Sequence, residues 1–378
     1  MLQATNAFAT LEKNGSEGMK IIKNRAVSPN LEKTLRTWGQ SDVIDMVGRS
    51  RKSISDLENE GKLPVAERNP NNNWKVYSLE NINKIRDYFK TRPIRPHGSK
   101  AAKIVVANFK GGVSKTTTTV LLAQFFAMKG YRVCLVDCDS QGSATQSFGY
   151  IPDDDIDPDN TLLPYFKGEK ESLEYAIKDT YWDGLDLIPS NLALYNIELL
   201  LPANRARLGN SYSIHDILSN GIKTIEKNYD IILFDCPPSM GMISTNALFA
   251  GDSVVVPSPP SMLDFSSTVQ FFGMANDVFN KLPEKNYNFL KLLITKYEKK
   301  ENANNIVAVS RQLFGDYVLN AVMPMSEAIQ KASTNMQTIY EIDKYEGAKK
   351  TLDRIKLSVD EVCLEVEELI IKAWSKKS

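Results

Sequence analysis

The stretch Lys110-Gly111-Gly112-Val113-Ser114-Lys115-Thr116-Thr117 follows directly on an apolar run over 103–109. A glycine-rich turn between a strand and a helix points successive backbone N–H groups at one spot, where the helix dipole also favours negative charge. That geometry suits the phosphate tail of a nucleoside triphosphate. Lys115 and Thr116 match the last two positions of a P-loop, in which the ammonium reaches the β and γ phosphates and the hydroxyl is available to a magnesium ion.

Two further segments place acidic residues where buried strands end. The segment 131–139, YRVCLVDCD, ends in Asp137 and Asp139, whose carboxylates point to one side of the strand end. The segment 229–238, YDIILFDCPP, has four apolar residues of a buried parallel strand and then Asp235. Alone, such an aspartate is more often a turn residue or a helix cap. With the loop upstream, we expect Asp235 to hold magnesium through water while Thr116 binds it directly.

The loop departs from the common P-loop pattern, which has glycine at the positions of Phe109 and Ser114, and it carries an additional lysine, Lys110. In these features it resembles the deviant Walker A family, which includes ParA-type partition ATPases, MinD-type ATPases and the nitrogenase iron protein. The resemblance implies that Lys110 reaches across a dimer to the partner's nucleotide. It also implies that Asp139 orients or activates the attacking water and that Asp137 supports the magnesium shell.

These motifs define a set of expected site residues. The catalytic residues would be Lys110, Lys115 and Asp139, and the magnesium residues Thr116, Asp235 and Asp137. The residues expected to bind ATP or ADP are those of the loop: Lys110, Gly111, Gly112, Val113, Ser114, Lys115, Thr116 and Thr117.

Composition restricts the alternatives. The 378 residues are enough for two domains, and 46 basic residues balance 46 acidic ones, so any nucleic-acid binding must come from local patches. The four cysteines lie mostly in predicted strands or helices, which argues against a disulfide framework. Two histidines leave little room for a histidine metal site. No signal peptide or bilayer-length apolar run is apparent, so we expect a cytoplasmic protein.

The chain divides at a basic segment rich in proline over 91–100, TRPIRPHGSK. We expect an N-terminal extension over 1–30, a DNA-binding domain over 31–92, a linker over 93–100 and an ATPase domain over 101–378. In the last of these, apolar segments alternate with helical ones. This pattern predicts an α/β fold with a mostly parallel, doubly wound sheet.

The N-terminal part has the pattern of a DNA-binding unit. Residues 41–58 fit a helix, a tight glycine turn and a second helix, 67–77 could form a hairpin wing, and 79–89 fits a helix. Together they resemble a winged helix-turn-helix of the MerR sort, although a purely structural helical hairpin would look much the same. The residues expected to meet DNA are Arg49, Arg51, Lys52 and Ser53. Residues 1–30 could supply a dimerisation helix, but Gly15, Gly18 and Pro29 are expected to interrupt it.

The motifs and the preceding domain together resemble the larger ParA-type partition ATPases, over residues 35 to 375. The resemblance implies an ATP sandwich homodimer that binds nonspecific nucleoid DNA, hydrolyses ATP when a ParB-type centromere-binding protein stimulates it, and represses its own operon through operator DNA. Candidates for a basic surface that binds nonspecific DNA are Lys296, Lys299, Lys300, Arg311 and Lys331, although most exposed lysines are merely solvated. The acidic polar face of the last helix counts against a membrane role.

Two rival functions remain open at this stage. A nitrogenase-like reductase would need a cysteine pair on each subunit to hold an iron–sulfur cluster at the dimer axis. A nucleotide-sensing transcriptional repressor would use the ATPase domain only as a switch and would have no role in segregation.

Overall fold

The computed structural model describes residues 4–27, 33–208, 213–342 and 349–376. It begins with helix α1, Ala4–Val27. The expectation that Gly15 and Gly18 interrupt a long helix was wrong, because the helix runs through both of them. A Cβ atom added at either glycine would meet nothing within 4 Å, so no neighbour forces a break there. Pro29 lies outside the described residues.

The next elements occupy the positions predicted for the N-terminal part. Strand β1, helices α2 and α3, strands β2 and β3, and helix α4 span Trp38–Gly39, Gln40–Val47, Arg51–Asn59, Glu67–Arg68, Lys75–Tyr77 and Leu79–Phe89. Gly48 ends α2 with a φ of 69°, a conformation that glycine adopts without steric cost. Ser50 then caps α3 by accepting the Ser53 amide. The three short strands pair antiparallel in the order β1-β3-β2.

The described residues from 101 onward contain a seven-stranded sheet in the order β10-β9-β4-β8-β5-β7-β6. Only β6 runs antiparallel to its neighbour, and the other pairs are parallel. Strands β4 to β10 span Ala102–Val106, Val133–Asp137, Lys178–Asp179, Leu185–Ile188, Ile231–Asp235, Ser253–Ser258 and Phe289–Ile294. This confirms the predicted mostly parallel sheet.

Helices α5 to α15 span Lys115–Lys129, Ser143–Ser147, Pro152–Asp155, Leu163–Lys167, Asn196–Leu208, Ile217–Ile225, Met242–Ala250, Met262–Phe279, Glu301–Phe314, Glu327–Thr334 and Lys349–Ser375. Short 3₁₀ turns connect several of them. These helices cover both faces of the sheet. Alternate strand residues point to opposite faces, so each face packs against its own set of helices. Ile104 faces the core that contains α5 and α15, whereas Val105 faces the core that contains α10 and α11.

The N-terminal elements pack against the α5 side of the sheet. Arg86 of α4 is 2% exposed and donates to the carbonyl of Met128 at the end of α5, at 2.7 Å. Asn83 of the same helix donates to Asp183 at 2.6 Å. The segment 91–101, which includes the predicted linker, has no helix or strand. Within the described ranges, no helix combines the length and apolar character needed to cross a bilayer.

Candidate nucleotide-binding and catalytic site

The glycine-rich loop lies between the end of β4 and the start of α5, at the carboxyl edge of the sheet. Gly112 has a φ of 75° and Ser114, at the helix N-cap, has a φ of 74°. The second value explains why this position is usually glycine, since a residue with a Cβ is strained there. Two hydrogen bonds hold the loop: the Thr295 hydroxyl, from a distant segment, donates to the Val113 carbonyl at 2.9 Å, and Asn108, two residues upstream, accepts the Lys110 amide at 3.2 Å.

The two lysines of the loop have different surroundings. Lys115 is 7% exposed, and its ammonium donates to the Lys110 carbonyl at 3.0 Å. Burial lowers the pKa of Lys115, and the nearby Asp235 is the largest opposing influence. The ammonium of Lys110 instead forms an ion pair with Asp264 of α12 at 2.6 Å, and its side chain is 34% exposed. The charge of Lys115 is therefore buried within the loop, whereas the charge of Lys110 is partly exposed.

Parallel strand pairing brings the acidic residues together. Asp137 on β5 and Asp235 on β8 are direct register partners, and both are fully buried. Burial and their mutual repulsion raise the pKa of Asp235, and burial is also the main cause of the raised pKa of Asp137. One oxygen of Asp235 accepts from Thr119 at 3.2 Å, and the other is buried with no hydrogen-bond partner among the described residues. An orphaned buried carboxylate oxygen beside the loop fits a magnesium ion and its water shell.

Both carboxylate oxygens of Asp137, unlike those of Asp235, accept hydrogen bonds. One of its oxygens accepts the amide and the hydroxyl of Thr145, at 2.9 and 2.7 Å, and the other accepts the Asp139 amide at 3.1 Å. The Ser190 hydroxyl donates to the Asp139 carbonyl at 2.6 Å. Asp139 is 9% exposed and lines the same cavity as the loop. The structure thus places Asp137 as a support for the acidic turn and Asp139 at the cavity.

The cavity itself has a volume of about 600 Å³, which suits a small-molecule ligand. One wall contains Gly111, Gly112 and residues 114–117 of the loop together with Asp139 and Ser147, and a second wall comes from residues between 323 and 339. The sequence motifs did not reveal this second wall. Nor did they reveal Asn108, Thr145, Ser190 or Asp264, because these residues act through contacts with distant segments and belong to no local pattern. A polar residue shortly after a predicted strand was a signal for Asn108 and Ser190, whereas Thr145 and Asp264 lie in helices and had no such signal.

The residues predicted to meet DNA are at the surface. Arg49, Arg51 and Lys52 are exposed and Ser53 is partly exposed, all at the N-terminal end of α3 or just before it. Of the second set, Lys296 is exposed but lines the rim of the nucleotide-sized cavity. Lys299, Lys300, Arg311 and Lys331 are exposed outside it, and Lys300 pairs with Glu298. The four cysteines are buried.

The fold and this site define a P-loop nucleotide-binding protein. Residues 101–288 match the family model described as AAA domain. SopA of Escherichia coli is 35% identical over 353 residues, which cover 91% of this chain and 91% of SopA. The chromosome partitioning protein ParA of Caulobacter vibrioides is 32% identical over 232 residues, covering 61% of this chain and 82% of that protein.

Solved structures show the same fold. A structure described as Partition Protein aligns with a TM-score of 0.64 at 19% identity and covers 94% of this chain and 99% of that one. Cobyrinic acid a,c-diamide synthase from Mycobacterium smegmatis, solved with an ATP analogue and magnesium, aligns with a TM-score of 0.52 at 27% identity, over 64% of this chain and 91% of that one. The chain belongs to the ParA-type family of partition ATPases.

Proposed function

We propose that this protein is an ATP-dependent DNA partition ATPase. It binds ATP with Mg²⁺, forms a homodimer with the nucleotides between the subunits, and hydrolyses ATP when a ParB-type centromere-binding protein stimulates it. The observation that carries the proposal is the arrangement of the two loop lysines. Lys115 lies beside its own cavity, whereas Lys110 is held at the surface by Asp264, where a second subunit could approach.

Each residue of the site has a distinct task in this proposal. Lys115 and the amides of residues 111–117 hold the β and γ phosphates, which is the positioning and charge stabilisation that phosphoryl transfer requires. Thr116 and Asp235 hold the magnesium ion, and Asp137 keeps the acidic turn in place. Asp139 orients the attacking water. A magnesium ion held by Thr116 and Asp235 would supply positive charge against the negative charge that develops on the phosphate oxygens.

The decisive experiment measures ATPase activity of the whole chain alone, with nonspecific DNA, with the ParB-type protein encoded beside it, and with both. We expect a synergistic rise of at least about tenfold with both, because stimulation in this scheme requires the dimer. Lys110→Ala should lose the stimulated rate and retain binding of a fluorescent ATP analogue. Lys115→Ala is the matched comparison and should lose binding itself. Normal stimulated hydrolysis in Lys110→Ala would disprove the role of Lys110 across the dimer.

The proposal includes operator binding by residues 38–89, acting as a winged helix-turn-helix. Its support is the exposed basic cluster at the start of α3 next to a short antiparallel hairpin, an arrangement that suits a helix in the major groove. In fluorescence anisotropy at low salt, Arg51→Glu with Lys52→Glu should weaken binding to the protein's own operator DNA by at least about tenfold. Substituting Lys62 and Lys84, exposed lysines elsewhere in this region, is the control.

The proposal also includes binding to nonspecific nucleoid DNA and, with it, a location on the nucleoid in the cytoplasm. Phosphate contacts add across two subunits, so a basic surface is most effective in the dimer. Reversing the charge of Lys299, Lys300, Arg311 and Lys331 together should abolish ATP-dependent binding to random DNA, measured by anisotropy. Lys296 is tested separately, because a change at the cavity rim could alter nucleotide binding as well. Unchanged affinity in the fourfold variant would exclude this surface.

Dimer formation also gives α1 a role. Phe8 and Leu11 on this helix are 73% and 66% exposed, so an apolar part of it is open to a second copy. The competing function is a nucleotide-sensing repressor without a role in segregation, which the basic cluster on α3 would equally support. A plasmid-stability assay separates the two: loss of segregation with repression intact favours partition, and loss of repression alone favours the repressor.

A further inference from the structure

Lys33 lies shortly before the DNA-binding elements, yet its side chain is buried against the ATPase part of the chain. The side chain is 6% exposed, and its ammonium pairs with Glu341, itself 3% exposed, at 2.9 Å. The ammonium also donates to the Ser147 carbonyl at 2.7 Å and to the Met336 carbonyl. The ammonium also lies over the ring of Tyr181, 4.8 Å from its centroid. All of these contacts join segments far apart in sequence.

The two carbonyl groups belong to residues from the two walls of the nucleotide-sized cavity, which lie close together where both accept from this ammonium. Ser147 ends α6, the helix that follows the acidic turn, and it lines the cavity. Met336 lies in the second wall, and it too lines the cavity. The lysine stem packs closely on Gly149, where an added Cβ would come within 2.8 Å of the Lys33 Cδ atom. One ammonium group from the N-terminal region therefore connects both walls.

Glu341 extends this connection to α5, the helix that follows the P-loop. Its carboxylate accepts from the Tyr181 hydroxyl at 2.6 Å, from the Thr338 amide at 2.8 Å and from Gln124 of α5 at 3.2 Å. Thr338 lines the cavity. Three residues after Lys33, Arg36 donates to the carbonyl of Tyr340 at 2.8 Å. The start of the DNA-binding region is thus joined to residues 336–341 at two points.

The buried Lys33–Glu341 ion pair is better suited to holding the surrounding segments in position than to increasing the stability of the fold. Burial lowers the pKa of Lys33, and attraction to Glu341 acts against this shift. A buried ion pair is often no more stabilising than apolar side chains of similar volume, whereas removing one partner alone leaves an uncompensated buried charge. The Lys33–Glu341 pair nevertheless favours one geometry, because three of its hydrogen bonds reach residues that line the cavity, namely Ser147, Met336 and Thr338.

We propose that Lys33 is a positioning residue of the nucleotide site, which holds the two cavity walls together and thereby couples nucleotide binding to the DNA-binding elements over 38–89. This inference rests on the proposed function, since it assumes that the cavity binds a nucleotide. A nucleotide that moves either wall would pull on Lys33 and so on the segment that leads into β1. In the opposite direction, DNA bound to α3 would favour one arrangement of the walls.

The test uses the full chain in four forms: wild type, Lys33→Met, Lys33→Met with Glu341→Gln, and Lys20→Met. Methionine keeps an unbranched stem on Gly149 and removes the charge, and the double variant leaves no unpaired charge. Lys20 is the matched control, because it pairs with Asp154 at 3.6 Å but is 61% exposed. For each form we would measure the thermal midpoint, the affinity for a fluorescent ATP analogue with magnesium, and hydrogen exchange by mass spectrometry.

In Lys33→Met, we expect faster exchange in both 143–149 and 336–341 without nucleotide, and about tenfold weaker nucleotide binding. The double variant should regain most of the thermal midpoint but not the affinity, and nucleotide should no longer change exchange in 38–89. Lys20→Met should behave as wild type. A double variant that regains affinity together with stability would reduce the pair to a structural role and overturn the proposal.

The two proposals can fail separately. A wild-type chain that bound no adenine nucleotide would refute the proposed function and, with it, the coupling. A wild-type chain that bound nucleotide while both walls exchanged at the wild-type rate in Lys33→Met would refute the positioning role alone.

Discussion

At the scale of single residues, Ser114 carries a backbone strain that the loop tolerates. Its φ of 74° is in the left-handed region, which costs a residue with a Cβ about 1–2 kcal/mol. Its side chain makes no capping hydrogen bond that would offset this cost. The departure from glycine at this position therefore lowers the stability of the folded state, and the hydrogen bonds of Asn108 to Lys110 and of Thr295 to Val113 hold the loop in this conformation.

Substitutions of Ser114 should show how much the backbone strain at this position costs in the free energy of unfolding. Ser114→Gly should raise the free energy of unfolding by up to about 1 kcal/mol, because relief of strain exceeds the added flexibility of the unfolded chain. Ser114→Val should lower it by about 1 kcal/mol or more, since a branched side chain is least tolerated at positive φ. Urea unfolding of the nucleotide-free chain measures both. Equal stability of the two variants would contradict the strained geometry.

The carboxylates of Asp137 and Asp235 predict a pH dependence. Burial raises the pKa of Asp137 from 3.8 to about 7 and that of Asp235 to about 8. The folded protein therefore keeps protons that the unfolded chain releases near pH 4, so this contribution to stability is present at low pH and is lost as the pH rises through about 7 to 8.

We expect the urea midpoint of the nucleotide-free protein to fall between pH 5 and pH 8 for this reason. Asp235→Asn removes one carboxylate from the pair and should flatten the dependence over that range. Magnesium and ATP together should have the same effect, because a bound cation favours the charged carboxylates. A midpoint that rises with pH, with Asp235→Asn parallel to wild type, would show that the pair is not the source.

At the scale of elements, the short helix α6 supports the acidic turn. The Thr145 hydroxyl donates to Asp137 at 2.7 Å and accepts the Ser190 amide at 2.9 Å, so it joins α6 to the strand end of β5 and to the loop after β7. Thr145→Val keeps the shape of the side chain but removes both bonds and leaves the buried Ser190 amide without its partner.

The expected cost of Thr145→Val is about 1–3 kcal/mol in the free energy of unfolding, together with a lower rate of ATP hydrolysis at little changed nucleotide affinity. Thr145→Ser keeps the hydroxyl and serves as the matched control, with a loss below about 1 kcal/mol. Urea unfolding and steady-state kinetics give both quantities. If serine and valine reduced the rate equally, the lost methyl group rather than the hydrogen bonds would be responsible.

The sequence predicted elements better than it predicted contacts between them. Helix α4 lies at Leu79–Phe89 as expected, and the strand that ends at Asp235 was evident from four buried apolar residues, because both patterns are local. The continuous α1 was not expected, since glycine lowers helix propensity but does not prohibit a helix. The wall over 323–339 and the pair of Lys110 with Asp264 depend on segments that meet only in the folded chain.

At the scale of the whole molecule, the N-terminal elements and the ATPase part share one hydrophobic core. Trp38, Val43 and Ile54 belong to the same buried cluster as Phe126 of α5 and Val359 of α15. The buried cluster is therefore continuous from residues before the predicted linker over 93–100 to residues after it. A common core means that the two parts should unfold together, and that a change at their boundary should affect both.

Arg86 is the residue that tests this cooperativity. It donates to Met46 at 3.2 Å, to Asn83 at 2.7 Å and to Met128 at 2.7 Å, so one buried guanidinium joins α2, α4 and α5. Burial lowers its pKa to about 10, which still leaves it charged at neutral pH. Arg86→Met removes the bonds and leaves the two carbonyl acceptors unpaired, at an expected cost of about 2–5 kcal/mol.

Calorimetry should show one unfolding transition for the wild-type chain, because the shared core makes partial unfolding expose apolar surface on both sides. In Arg86→Met we expect two transitions, with the N-terminal elements melting first. Lys84→Met, which removes an ion pair with Glu80 that is exposed at both ends and lies within α4, should shift the transition by less and leave it single. Two transitions already present in the wild type would mean that the common core does not bind the parts into one cooperative unit, and the coupling assigned to Lys33 would then have to operate between bodies that unfold independently.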